Sequence, residues 1–126
     1  MINKMIIKRT FNKYGTFHRE DGSAVEFEDG SYHYYVNGAH HRLDGPAIYD
    51  AATGINRYCH NGLRHRLDGP AVIWDAMKSG MWYINGKHVD KEIRKWASEM
   101  NINLENLTED DKILISIVWS DYGLTD

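Results

Sequence analysis

GAHHRLDGPAIYDAATGINRYCHN, from Gly38 to Asn61, runs without a gap into GLRHRLDGPAVIWDAMKSGMWYIN, from Gly62 to Asn85. Two copies of one 24-residue unit standing end to end decide the fold, because a repeated unit is one that buries its apolar face against its neighbour. Upstream, GTFHREDGSAVEFEDGSYHYYVN makes a 23-residue copy from Gly15, and GKHVDKE opens a fourth copy at Gly86 before the pattern stops. Each unit carries two turn signals separated by short runs of alternating apolar and polar residues, the mark of a β-hairpin. Asn37-Gly38, Asn61-Gly62 and Asn85-Gly86 accept positive φ and mark one end of each hairpin, with Gly30, Gly54 and Gly80 at the other.

Working outward, an aromatic stands four residues before each recurring glycine, at Phe11, Tyr34, Tyr58 and Trp82. Val36, His60 and Ile84 follow two places later, on the same strand face. The strand after the motif carries Ala24, Ala47 and Ala71, then Val25, Ile48 and Val72. This row reads as core. Past Gly86 the period changes. Asp90 is placed as an N-cap, and Ile93, Trp96, Ala97 and Met100 then fall at helical spacing. Ile102, Leu104 and Leu107 are expected to tuck inward from a connector, and Thr108 opens a second helix with Glu109, Asp110 and Asp111 complementing its dipole. Within residues 113–119 the many β-branched side chains leave a strand open as the alternative. The expectation is an α+β fold in one domain over residues 1–126, with β-hairpin repeats over 5–89 and a helical tail over 90–122.

The spacing Tyr-x-x-Asn-Gly with a second glycine signal every 23 to 24 residues resembles the MORN-type hairpin repeat. The motif His-Arg-x-Asp-Gly-Pro-Ala resembles repeats of small bacteriophage and giant-virus proteins. Residues 11 to 90 carry the likeness, unbroken at His41 to Ala47 and His65 to Ala71, with Ser23 replacing proline in the first copy and only Asn85-Gly86 kept in the fourth. The resemblance implies an elongated antiparallel sheet with an interaction role. In its viral version it implies a factor acting on a host defence or toxin protein in the host cytoplasm.

The motif sets together His18, Arg19 and Asp21, then His41, Arg42 and Asp44, then His65, Arg66 and Asp68. His-Arg-Leu-Asp also resembles the catalytic loop of protein kinases, but the glycine-rich loop, strand lysine and Asp-Phe-Gly elements are missing. Catalytic groups converge once on one pocket, whereas this triplet is stamped three times, so no catalytic residue and no enzyme is expected. A structural loop is expected instead, with Asp capping local amides and the preceding Arg pairing with it. Corresponding histidines lie two strands apart, roughly 9 to 10 Å, too far to share an ion that needs nitrogens at about 2.0 to 2.1 Å. No metal or cofactor is therefore expected, although His33, His40, His60 and His88 stand outside the triplets. The alternative to protein binding is a ladder of Arg19, Arg42, Arg64 and Arg66 taking small nucleotides or short nucleic acid.

Composition narrows the classes further. A net charge of −3, with Lys+Arg 15 against Asp+Glu 18 and no basic run, disfavours nucleic acid as a general partner. The longest apolar stretch near the start is Met5-Ile6-Ile7, which predicts no membrane span and a soluble, cytoplasmic chain. Cys59 is the single cysteine and reads as a buried thiol. In the second helix, Ile113, Leu114, Ile117 and Val118 span roughly 140° on a helical wheel, and they are expected to dock on the sheet. Ile115, Trp119 and Tyr122 are then expected outside, as a surface for a host or viral protein or for a second copy in a homo-oligomer.

Overall fold

The computed structural model describes residues 4–77 and 80–124. Strand β1 (Ile6–Arg9) leads into β2 (Val25–Phe27), β3 (Tyr32–His33), β4 (Tyr35–Val36) and β5 (Ala39–His40). The next unit repeats the plan with β6 (Ile48–Asp50), β7 (Ile55–Arg57), β8 (Cys59–His60) and β9 (Leu63–Arg64). The last gives β10 (Val72–Trp74), β11 (Tyr83–Ile84) and β12 (Lys87–His88), and helices α1 (Asp90–Glu99) and α2 (Glu109–Trp119) follow. The α+β order of an antiparallel hairpin meander and then two helices is thus the one found, and residues 113–119 are helical.

One sheet runs β1-β2-β3-β6-β7-β10, antiparallel throughout, while β4-β5, β8-β9 and β11-β12 form three short ribbons. The ribbons close through Asn37, Asn61 and Asn85 at φ 49°, 50° and 50°, each followed by a glycine at 81° to 83°. Both turn residues need the left-handed region in such a two-residue hairpin, which is why Asn-Gly recurs. At the far ends Gly30 and Gly54 also have positive φ, and Gly80 sits so close to the Val72 carbonyl that no Cβ would fit.

The chain crosses from sheet to ribbon at Tyr34 and Tyr58, whose N–H groups donate to the carbonyls of Ala47 and Ala71 at 2.7 Å. Those alanines, with Ala24, are fully buried, so the crossing has no room for a larger side chain. In the first unit it is Thr10 that donates to Ala24, at 2.8 Å. Thr10 therefore fills the slot expected for Phe11. The physical reason is turn length. Phe11 bridges Phe17 across residues 12–16, one more than separate Tyr35 from His40, and this slides the aromatic out of register. Phe11 instead stacks on Phe17 with ring centroids 5.1 Å apart.

The largest apolar cluster sits at one end, where Trp82, Ile84 and Val89 of the last unit meet Ile93 of α1 and Ile115 and Trp119 of α2. Leu67, Trp96, Leu104 and Leu107 pack around it. Ile115 and Trp119 were expected outside and are core, whereas Tyr122 is exposed as expected, its ring 5.2 Å from that of Trp119. Of the stripe expected to dock, Ile113, Ile117 and Val118 are exposed and Leu114 is half-buried. Two forces set this rotation. The aromatic stripe has more apolar area to bury against Trp82, and Asn85 Nδ2 donates to the carbonyls of Ser120 and Tyr122 at 2.8 and 3.0 Å, fixing the helix end.

The N-cap of α1 is Val89, not Asp90. Asp90 is the first helical residue, and its carboxylate accepts the N–H of Trp82. The helix ends with Asn101 at φ 57°, where Ile102 N–H returns to the Ala97 carbonyl at 2.8 Å. Met100, expected on the packed stripe, is half exposed. Thr108 does cap α2, exchanging hydrogen bonds of 3.1 Å each way with Asp111. Among the described residues no helix is long and apolar enough to cross a membrane.

Candidate functional site: the motif loops and the grooves between them

Each motif histidine holds the Asn-Gly turn that ends its own unit. His18, His41 and His65 accept the backbone N–H of Asn37, Asn61 and Asn85 through Nδ1, at 2.9, 3.0 and 2.9 Å. Because Nδ1 accepts, the ring is neutral with its proton on Nε2. Burial pushes His41 and His65 below their ordinary value, with His60 adding to the effect. The same turn amide has no other hairpin partner, so the histidine supplies what the ladder leaves out.

The arginines fasten their own loops. Arg19, Arg42 and Arg66 donate through Nε to Asp21, Asp44 and Asp68 at 2.8, 2.9 and 2.9 Å. One terminal nitrogen of each donates to the carbonyl of Ser23, Pro46 or Pro70 at 3.1 to 3.2 Å. The guanidinium planes of Arg42 and Arg66 lie over the Tyr34 and Tyr58 rings, 4.1 and 3.9 Å from the centroids. A Cβ at Gly22, Gly45 or Gly69 would fall 2.7 Å from the guanidinium carbon, which explains the glycine after each aspartate. The aspartates were expected to cap backbone amides. Their short bonds go to arginine instead, and that pairing holds Asp21 and Asp44 below the usual carboxylate range. Each loop thus repeats one structural arrangement. Arg64 departs from the ladder and lies over Tyr83, 5.4 Å from its centroid.

Of the other histidines, two pair with each other and two lie against neighbouring rings. His33 Nδ1 and His40 Nε2 stand 3.0 Å apart, and burial, with His33 adding, pushes His40 down to about 4. His60 lies between His41 and His65, with centroids at 4.6 and 5.7 Å. His88 stacks on Tyr83 at the last ribbon. Among the described residues no group of three or more His, Cys, Asp or Glu is placed to hold a metal ion. Cys59 is buried, which pushes its thiol up.

Between successive loops the surface sinks into two grooves. The first, of about 600 Å³, lies between the loops of Arg19 and Arg42 and is floored by Tyr34, Val36 and His41. The second, of about 500 Å³, lies between the loops of Arg42 and Arg66 and is floored by Tyr58, His60 and His65, with Lys112 and Ser116 of α2 at its side. Leu43 belongs to both and is 81% exposed. Sequence reasoning missed these grooves. The signal was present one repeat further on, where Trp82, Ile84 and Val89 stand at the positions of Tyr58, His60 and His65. No family model, curated protein or solved structure matches the chain.

Proposed function

We propose that the chain is a non-enzymatic protein-binding repeat module whose contact surface is the outward side of α2 together with the adjoining motif loops. The observation that carries this is the exposure of Ile113, Ile117 and Val118 on a helix whose opposite side is fully docked, with Leu43 exposed in the adjoining loop. Exposed apolar residues gathered on one side of a soluble domain mark an interaction site. The triplets support the same reading, since their imidazole acceptors and two of the five N–H donors of each arginine already serve the fold. That also weakens the arginine ladder as a nucleotide site. By the resemblance to viral repeats, the proposed partner is a host protein, such as a defence or toxin factor met in the host cytoplasm.

The test is site-specific photo-crosslinking. A photoreactive residue at position 117 should form an adduct with one discrete protein, and the same residue at exposed position 28 should not. Equal labelling at both positions would overturn the reading.

A further inference from the structure

We infer that His33 Nδ1 and His40 Nε2 together chelate one divalent copper ion, with the Tyr35 hydroxyl as a third, weaker oxygen ligand. The inference goes beyond the protein-binding reading and does not depend on it. The donors already converge. The two imidazole nitrogens stand 3.0 Å apart, and the Tyr35 oxygen lies 3.5 Å from His33 Nδ1. His33 comes from β3 of the large sheet, whereas Tyr35 and His40 face each other across the β4-β5 ribbon, so the site spans the junction between the two. Ring packing holds it in shape. The Tyr35 and His40 rings stack with centroids 4.3 Å apart, and the His33 ring lies against Phe27 at 5.5 Å and Tyr35 at 5.9 Å. Ligands fixed by their surroundings before an ion arrives are what a metal site requires.

The fold does not need this cluster. At the same three positions the next unit carries Arg57, Cys59 and Arg64 and the last carries Met81, Tyr83 and His88, yet the same hairpins form. A polar cluster that occurs once on a repeated scaffold is the arrangement expected of a site, whereas the repeated parts belong to the fold. The motif histidines are unsuited to the task, because Nδ1 accepts a backbone N–H and Nε2 therefore carries the proton. His33 and His40 aim their nitrogens at each other instead. An ion would displace one N–H···N bond, the proton moving to the other nitrogen of its ring. Geometry selects the metal. Nitrogens about 2.0 to 2.1 Å from one ion and 3.0 Å from each other subtend roughly 90 to 100°, which is the cis angle of a tetragonal site and narrower than a tetrahedral one. Tetragonal N,O coordination is the preference of copper(II), which also heads the affinity order for divalent first-row ions. Charge permits a cation, since Lys4 beside His33 is paired with Asp50 at 2.8 Å and lies 3.9 Å from Asp29. All three ligand residues are only half-buried, which leaves a side open for water to complete the shell.

The experiment titrates the whole chain, first stripped of metal by a chelator, with copper(II) chloride in the presence of glycine as a weak competitor. Electron paramagnetic resonance should show one equivalent bound, with an axial spectrum and hyperfine coupling to two nitrogens. On the same unaltered protein, copper should broaden the amide NMR signals around His33 and His40 and spare those around His65. His33→Gln and His40→Gln should each weaken binding by more than about tenfold, Tyr35→Phe should weaken it less, and His88→Gln should leave it unchanged. Circular dichroism melts check that each variant folds, and the broadening map of the unaltered chain decides the matter if a histidine variant does not. The proposal is overturned if the broadening centres elsewhere or spreads over several histidines, if the spectrum lacks nitrogen coupling, or if folded His33→Gln and His40→Gln both bind copper as the wild type does.

Discussion

At the scale of single residues, the motif His-Arg-x-Asp-Gly divides its work unequally. Arginine carries the loop, because it joins a carboxylate, a carbonyl and a ring at once, and its planar fork has no substitute in lysine. Arg66→Lys should therefore lower the denaturation midpoint, with a loss of about 1–2 kcal/mol. Asp68→Ala, at a mostly exposed carboxylate, should move it less. Chemical denaturation of the two variants side by side checks the order. The alanine at each crossing is the opposite case, since it tolerates no growth. Ala71→Leu should cost about 1–3 kcal/mol by overpacking.

The histidines give a pH dependence with a definite sign. His40, His41 and His65 sit below their ordinary value in the folded chain, whereas the unfolded chain takes up those protons near 6.5. Below that pH the unfolded state binds more protons, so stability present above about 6.5 is lost as pH falls, down to about 4 for His40. Protonated Nδ1 also cannot accept the Asn61 and Asn85 amides. Melting temperatures measured between pH 7 and 4 should fall steadily, and His65→Phe should flatten part of that slope while lowering the value at pH 7.

At the scale of elements, the hairpins were legible and the rotation of the last helix was not. The Asn-Gly pairs dictate ribbon turns by backbone conformation alone, so spacing sufficed to place β4-β5, β8-β9 and β11-β12. Periodicity in α2 offered two apolar stripes, and the choice between them depended on Trp82 and Asn85, which are close only after folding. The candidate site was lost with it, since Ile113 and Ile117 were assigned to the core and Ile115 and Trp119 to the surface, while Tyr122, assigned with them, does lie exposed. The capping of α1 failed for a related reason. Val89 occupies a repeat slot, its N–H bonded to the Trp82 carbonyl at 2.9 Å, and the helix starts from there. Trp119→Ala should cost about 3–5 kcal/mol, whereas Ile117→Ser should stay within about 0.5 kcal/mol of wild type. Thermal denaturation of both separates the buried stripe from the exposed one.

At the scale of the molecule, stability is expected to be graded along the stack. Nearest-neighbour contacts hold each unit, but among the described residues the large apolar cluster lies at the helical end. Amides of Thr10 and Ala24 should exchange faster than those of Val89 and Ile93, a gradient that hydrogen exchange by NMR would show. The same asymmetry places the proposed surface beside the apolar cluster on which α2 is docked. On the proposed function, binding resides in this surface and the motif serves only the fold. Calorimetric titration of the protein captured at position 117 against two variants, Asp44→Asn with Asp68→Asn, and Ile113→Ser with Ile117→Ser, separates the two roles. Affinity near wild type is expected for the first and a loss of at least about tenfold for the second; loss in the first with wild-type affinity in the second would place binding in the motif instead.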